Sequence, residues 1–265
     1  MKLSCIGSGK MGTALLKGIV TRGLCAAGDI TISDPSPEAL AAATSAVPGL
    51  RVATANDEAV RGADAVLLCV KPAGIVPLIE SLRDLPPVLF ISIAAGITLS
   101  RMEAAAGHHR IVRVMPNTPA LIGQGAAAYS PGSSAGEADC RLTESLLGAV
   151  GTVTRVAEKL LDAVTGLSGS GPAYIYTVIE ALADGGVLEG LSREQAIQLA
   201  AQTVAGAAGM VLQTGLHPAV LRDQVTSPGG TTIAGLASLE ANGLRSALIQ
   251  AVRASTRRAQ ELGKL

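Results

Sequence analysis

The sequence predicts an α/β fold in two parts, a mainly parallel sheet covered by helices on both faces and then an all-helical segment. Three observations carry this. Short apolar runs alternate with helix-period segments up to about residue 159. The strongest run, "ADAVLLCV" at residues 63–70, is apolar on both faces, as a strand buried on both sides must be. After about Glu158 the strand patterns stop and capped helical segments follow one another. The chain is therefore divided into residues 1–159 and 160–265.

The elements follow in order. "KLSCI" is a short buried strand, and Met11, Leu15, Leu16, Ile19 and Val20 recur behind it at helical spacing until Gly23. "DITIS", "RVAT", "ADAVLLCV", "PVLFISI" and "RIVRVM" are the next five strands, most with helical stretches between them. "GAAAYS" and "TVTRV" extend the sheet around a helix from about Gly136 to Leu147. In the second part, Pro172 opens a helix at a first-turn position. Ser192 and Gln195 stand in capping-box spacing before another. Pro218 begins a short helix, "TTIAGLASLEANG" ends at Asn242-Gly243, and a last helix runs to the C-terminus. The stretch from Ile197 to Leu212 is apolar nearly all round, so it must be buried nearly all round. So small a domain cannot enclose it alone, and a second subunit related by a two-fold axis is expected to cover it.

Composition excludes several functions. Charged residues are 16% and formal net charge is +0, so no electrostatic hold on nucleic acid is predicted. Aromatics are 2% with no Trp, which removes base-stacking platforms. Cys5, Cys25, Cys69 and Cys140 are scattered, without C-x-x-C or a nearby His pair. They read as reduced, small hydrophobes, and no metal site is expected. No apolar run is long enough to span a bilayer, and "MKLSCIGSGK" runs straight into a strand and glycines without a leader's apolar core. A cytoplasmic protein with neither membrane nor nucleic-acid partner is expected.

"IGSGKMG" sets Gly7, Gly9 and Gly12 in G-x-G-x-x-G spacing directly after a strand and at the start of a helix. Gly7 permits the tight turn, Gly9 lets a pyrophosphate approach the backbone, and Gly12 lets helix and strand pack closely. The helix start adds amide donors and partial positive charge. This predicts a Rossmann-type dinucleotide site. Asp34 ends the second strand and suits the two ribose hydroxyls of NADH while repelling a 2′-phosphate. Ser36, nearby amides and Lys10 could still hold that phosphate, so NADPH or NADH stays open. Lys71 and Pro72 follow the fourth strand, and Ala94 to Gly96 follow the fifth, where small residues leave room for a nicotinamide. Asn117 and Thr118 lie between two prolines after the sixth, either lining the crevice or forming a structural turn.

"SPGGTTIAGL", from Ser227 to Leu236, is a second anion-ready helix start. Its glycines let a ligand approach, and the amides at Thr231 and Thr232 suit a carboxylate. A dinucleotide does not need this second site, whereas a small carboxylate-bearing substrate does. A capped helix behind a glycine loop is the purely structural alternative. "GLSGSGPAY", Gly166 to Tyr174, either shapes a pocket or lets helices pack closely.

"IGSGKMG", "VKP", "AAG", "MPNTP", "GLSGSGPAY" and "SPGGTT", in this order over essentially the whole chain, resemble pyrroline-5-carboxylate reductase. The resemblance implies reduction of 1-pyrroline-5-carboxylate to L-proline by NAD(P)H, with interlocked homodimers and decamers. It implies cofactor contacts from Ile6, Gly7, Ser8, Gly9, Lys10, Met11 and Gly12 and, past the second strand, from Asp34, Ser36 and Asn56. Cys69, Val70, Lys71 and Pro72, then Ala94, Ala95 and Gly96, complete that set. It implies a substrate carboxylate on the amides of Gly230, Thr231 and Thr232, the Thr232 hydroxyl toward the ring nitrogen as the catalytic contact, and Glu158 and Gln224 on the substrate side. Two positions depart from the family's pattern: Asp34 replaces a small neutral residue, and Gln224 stands where relatives can have Asn. A 3-hydroxyacid-type dehydrogenase would need a catalytic lysine in the second part, which before the C-terminal tail offers only Lys159 at its edge. A non-catalytic dinucleotide sensor is the alternative of a different class.

Overall fold

The computed structural model of the chain describes residues 1–263. Among these, eight strands form one sheet: β1 (Leu3–Ile6), β2 (Ile30–Ser33), β3 (Arg51–Val52), β4 (Ala65–Leu68), β5 (Leu89–Ser92), β6 (Arg110–Met115), β7 (Gly125–Pro131) and β8 (Gly151–Arg155). Their order is β3-β2-β1-β4-β5-β6-β7-β8. β1 to β6 pair in parallel; β7 runs antiparallel to β6 and parallel to β8. The order reverses between β1 and β4, which opens a crevice at the carboxyl ends of these strands. Only two residues of "RVAT" pair, and both are exposed at the sheet edge, as suits a blunted edge strand.

Helices α1 (Lys10–Thr21), α2 (Pro37–Ala46), α3 (Asn56–Val60), α4 (Pro72–Leu82), α5 (Leu99–Ala106), α6 (Glu137–Gly148) and α7 (Leu161–Val164) connect and follow the strands. The period-2 pattern of the strands sends alternate residues to opposite faces. In β4, Ala65 and Leu67 join one core with Leu15, Leu16 and Ile19 of α1. Val66 and Leu68 join another with Ile75 and Ile79 of α4 and Met102 of α5. Burying each such Leu or Ile contributes roughly 1.5–3 kcal/mol, so both faces hold the sheet.

His109 belongs to the second of these layers. It is 3% exposed, lies 4.6 Å from the Phe90 ring, accepts the Val88 N–H at Nδ1 and so donates from Nε2 to Leu82 O. Burial lowers its pKa, and protonating Nδ1 would break the Val88 bond. Below the unfolded histidine value of about 6.5, the unfolded chain therefore binds the proton first. Stability falls as pH drops from there toward the folded-state value. Thermal melts across that window should show this acid loss and show it flattened in His109→Gln. An equal loss in both proteins would assign it to other groups.

The chain divides into two compact units, Met1–Ser170 with the chain from Ala254 onward, and Gly171–Arg253. The division falls after Ser170, eleven residues beyond the sequence reading, because α7 and the π-helical turn Thr165–Gly169 belong to the first unit. The second unit holds α8 (Gly171–Leu188), α9 (Arg193–Thr214), α10 (Pro218–Gln224), α11 (Thr231–Ala241) and the start of α12 (Leu244–Leu262). Ser192 and Gln195 form the expected capping box on α9. Its core is only Ala183, Ala196 and Ala200 with Ile179 and Val187 packed on them. Leu199 is 56% exposed and Leu212 79%. Within one chain, then, α9 is not buried all round. No single helix of the described residues is long and apolar enough to cross a membrane.

Candidate functional site

The loop between β1 and α1 is shaped by what its glycines must avoid. Gly7 has φ +95°, and a Cβ there would lie 2.7 Å from the Cys69 carbonyl. A Cβ on Gly12 would lie 2.4 Å from the Gly7 carbonyl oxygen. Gly9 is different: nothing lies within 4 Å of its missing Cβ, and its backbone is extended. The fold thus gives no packing reason for glycine there, whereas a ligand on the backbone does. Gly9 caps α1 with no side-chain bond, so the first amides of the helix have no side-chain acceptor. Ser8 Oγ is the one buried side-chain polar atom without a partner among the described residues. Open space, unsatisfied amides and an orphaned hydroxyl fit a pyrophosphate.

The residues after β2 close one side. Asp34 accepts Ser8 N–H at Oδ2 (2.7 Å) and Ser36 N–H at Oδ1 (2.9 Å). Ser36 caps α2 by accepting Ala39 N–H and donates its hydroxyl to Glu38, which holds the Glu38 carboxyl below its ordinary range. Asn56, first residue of α3, accepts the Ser33 hydroxyl at 2.8 Å.

The ends of β4 and β5 close the other side. Cys69 N–H donates to Ile6 O at 2.7 Å, tying this segment to the glycine loop. A hydrogen bond to Cys5 and burial push the Cys69 thiol well up, so it stays protonated. Lys71 caps α4, with Pro72 at its first position. Pro72, Ala95, Gly96 and Arg101 line a cavity of about 690 Å³ with Ser170 and Arg258, all within the first unit. Asn117 is used structurally: its side chain donates to Ser168 O and accepts Ala126 N–H.

Sequence reading missed Arg113. It is buried in β6 and pairs with Glu158 at 2.9 Å and Asp162 at 3.6 Å. Glu158 Oε1 also accepts Leu99 N–H at the start of α5, beside the Thr98 cap. The available signal was a charge inside the apolar run "RIVRVM", since a buried arginine requires a partner. Nothing in the sequence announced Arg258, which comes to the cavity on the far end of α12.

In the second unit, Gly230 caps α11 with no side-chain bond, after Gly229 at φ +66°. Thr231 is exposed and Thr232 half-buried at the helix start. Their amides have no side-chain acceptor. Gln224 ends α10 and is exposed. The residues expected on the nucleotide side, Ile6 to Gly12, Asp34, Ser36, Asn56, Cys69 to Pro72 and Ala94 to Gly96, all fall in the first unit, as does Glu158. Gln224 and Gly230 to Thr232 belong to the second.

Residues 158–262 match the family model for pyrroline-5-carboxylate reductase dimerisation, and residues 2–96 match one for NADP oxidoreductase, coenzyme F420-dependent. A pyrroline-5-carboxylate reductase of Methanosarcina acetivorans is 47% identical over 99% of this chain and 98% of its own. The structure of one from Coxiella burnetii matches with a TM-score of 0.93 at 36% identity, covering 98% of each chain. A pyrroline carboxylate reductase from Plasmodium falciparum, with NADP bound, matches with a TM-score of 0.87 at 33% identity, covering 99% of this chain and 98% of that one. Sequence and fold alike run full length, so the chain belongs to the pyrroline-5-carboxylate reductase family.

Proposed function

We infer that this chain reduces 1-pyrroline-5-carboxylate to L-proline with NAD(P)H. The observation that carries the reading is the second bare helix start, Gly230–Thr232, in a chain whose first one at Gly9 already suits the dinucleotide. A small acid explains the second. The amides of Thr231 and Thr232 hold the substrate carboxylate, since the Gly230 N–H expected beside them already donates to Ser227 O at 3.1 Å, and the Thr232 hydroxyl fixes the ring nitrogen. Gln224 and Glu158 lie on the substrate side, Glu158 with Oε1 already committed to Arg113 and Leu99. When bound, NAD(P)H supplies the hydride that the imine carbon accepts. The protein's part is mainly to fix two partners in one geometry, with the small Ala94–Gly96 segment leaving room for the ring. The three histidines stand outside these loops: His108 and His109 contact Leu85 O and Leu82 O, and His217 caps α10.

The helical part also serves a twin. Its apolar helices enclose almost no core of their own, so a second copy covering them explains their composition. We propose an interlocked homodimer assembling into a decamer, with residues 160–265 as the substrate and dimerisation part. All four cysteines are free, which suits the cytoplasm.

Loss of the Thr232 hydroxyl tests the reaction. Thr232→Ala should lower kcat/KM for pyrroline-5-carboxylate by roughly 10–100-fold, the worth of one hydrogen bond to a charged group, while nucleotide affinity holds. Steady-state kinetics matching the native protein would remove Thr232 from the mechanism. No substrate-dependent oxidation of either NADH or NADPH by the native protein would favour the sensor reading.

A further inference from the structure

We propose that Asp34 and the backbone around it make this chain selective for NADH over NADPH. The inference deepens the reductase reading and rests on it only for the reaction; nucleotide choice stands on the first unit. Asp34 directly follows β2 and, through its bond from Ser8 N–H, sits against the glycine loop, where this architecture places the adenosine ribose. Its carboxylate does not swing freely. Ser8 N–H fixes Oδ2 at 2.7 Å and Ser36 N–H fixes Oδ1 at 2.9 Å. A carboxylate has about four acceptor sites, so one on each oxygen remains for the 2′- and 3′-hydroxyls.

The groups that could receive a 2′-phosphate instead are already used. The Ser36 amide is on Asp34, and the Ser36 hydroxyl donates to Glu38 while accepting Ala39 N–H. Residues 35–42, "PSPEALAA", contain no Lys or Arg. Glu38 adds a second negative charge in the first turn of α2. The positive groups on this side are Lys10 and Lys17, exposed along a cleft of about 520 Å³ with Gly9 and Ala39. A hydrated, mobile ammonium offers little against a fixed carboxylate at the point of contact.

The test compares equilibrium affinities for NADH and NADPH, read by calorimetry without substrate, and then kcat/KM with each on pyrroline-5-carboxylate. The native protein should bind NADH roughly 10–100-fold more tightly, the range of one or two charge-assisted hydrogen bonds. Asp34→Ser should bring that ratio to within about threefold. Any loosening of the loop in the variant affects both nucleotides alike, so the ratio isolates the ribose contact. Equal or tighter binding of NADPH by the native protein overturns the proposal, as does a ratio that Asp34→Ser leaves unmoved. A clear NADH preference in binding without pyrroline-5-carboxylate turnover would sink the reductase reading and leave this one standing.

Discussion

Gly12→Ala should lose both nucleotide binding and stability, whereas Gly9→Ala should lose binding alone. Gly12 is the third residue of α1, where alanine is favoured over glycine by about 1 kcal/mol on helix propensity. The contact outweighs that preference. The new methyl would sit 2.4 Å from the Gly7 carbonyl oxygen, and Gly7 is held in place by its N–H bond to Ser33 O at 2.8 Å. The loop must move or α1 must lift, an overpacking cost of roughly 1–3 kcal/mol. The amides that face the pyrophosphate move with it. Losing two charge-assisted bonds weakens NADH binding by more than about 100-fold. Gly9 meets no such obstacle, since its φ of −66° and ψ of −176° suit alanine and its Cβ would enter open space. Its melting temperature should match the native protein's, while NADH affinity drops roughly 10–100-fold because the methyl occupies the line of approach. Thermal melts and nucleotide titrations of the pair separate the two roles. Normal NADH binding by Gly9→Ala would place the pyrophosphate elsewhere.

What the sequence showed, and what it hid, divides by range. The glycine loop, the Ser192–Gln195 box and the Pro172 helix start are local, so spacing alone predicts them. The doubly covered sheet is also legible, because β4 is apolar at every position. Asp34 was readable as the residue following the second strand, the position to which this architecture brings a ribose. That Ser8 and Ser36 lock its oxygens was not, because Ser8 lies 26 residues away along the chain. The end of α12 joining the first unit has no local signature at all. α9 shows a third case. Its apolar character was plain, but composition cannot say which molecule buries it, and in one chain Leu212 stays 79% exposed.

Arg113→Met should be among the most damaging single changes to stability, although Arg113 is not among the residues proposed to hold a ligand. Its side chain is 6% exposed and bridges two carboxylates, Glu158 at 2.9 Å and Asp162 at 3.6 Å. Removing one partner of a buried ion pair leaves the other charge uncompensated, which costs about 3–5 kcal/mol. Glu158 and Asp162 keep 31% and 24% of their side-chain surface exposed, so water offsets part of this. The expected loss is roughly 2–4 kcal/mol, or about 5–15 °C in Tm at matched protein concentration. Arg113→Lys should fall between, since one ammonium cannot fork across two acids. The triple change Arg113→Met, Glu158→Gln, Asp162→Asn should recover most of the loss, because it removes the stranded charges as well as the partner. The effect then reaches the site through the chain. Glu158 accepts the first N–H of α5 at Leu99, three residues past Gly96, so a Glu158 released from Arg113 loosens the segment proposed to border the nicotinamide. KM for the nucleotide should therefore rise in Arg113→Met even below its melting temperature. An unshifted melt for Arg113→Met would show that water already satisfies Glu158 and Asp162. A failed rescue by the triple variant would put the loss in packing rather than charge.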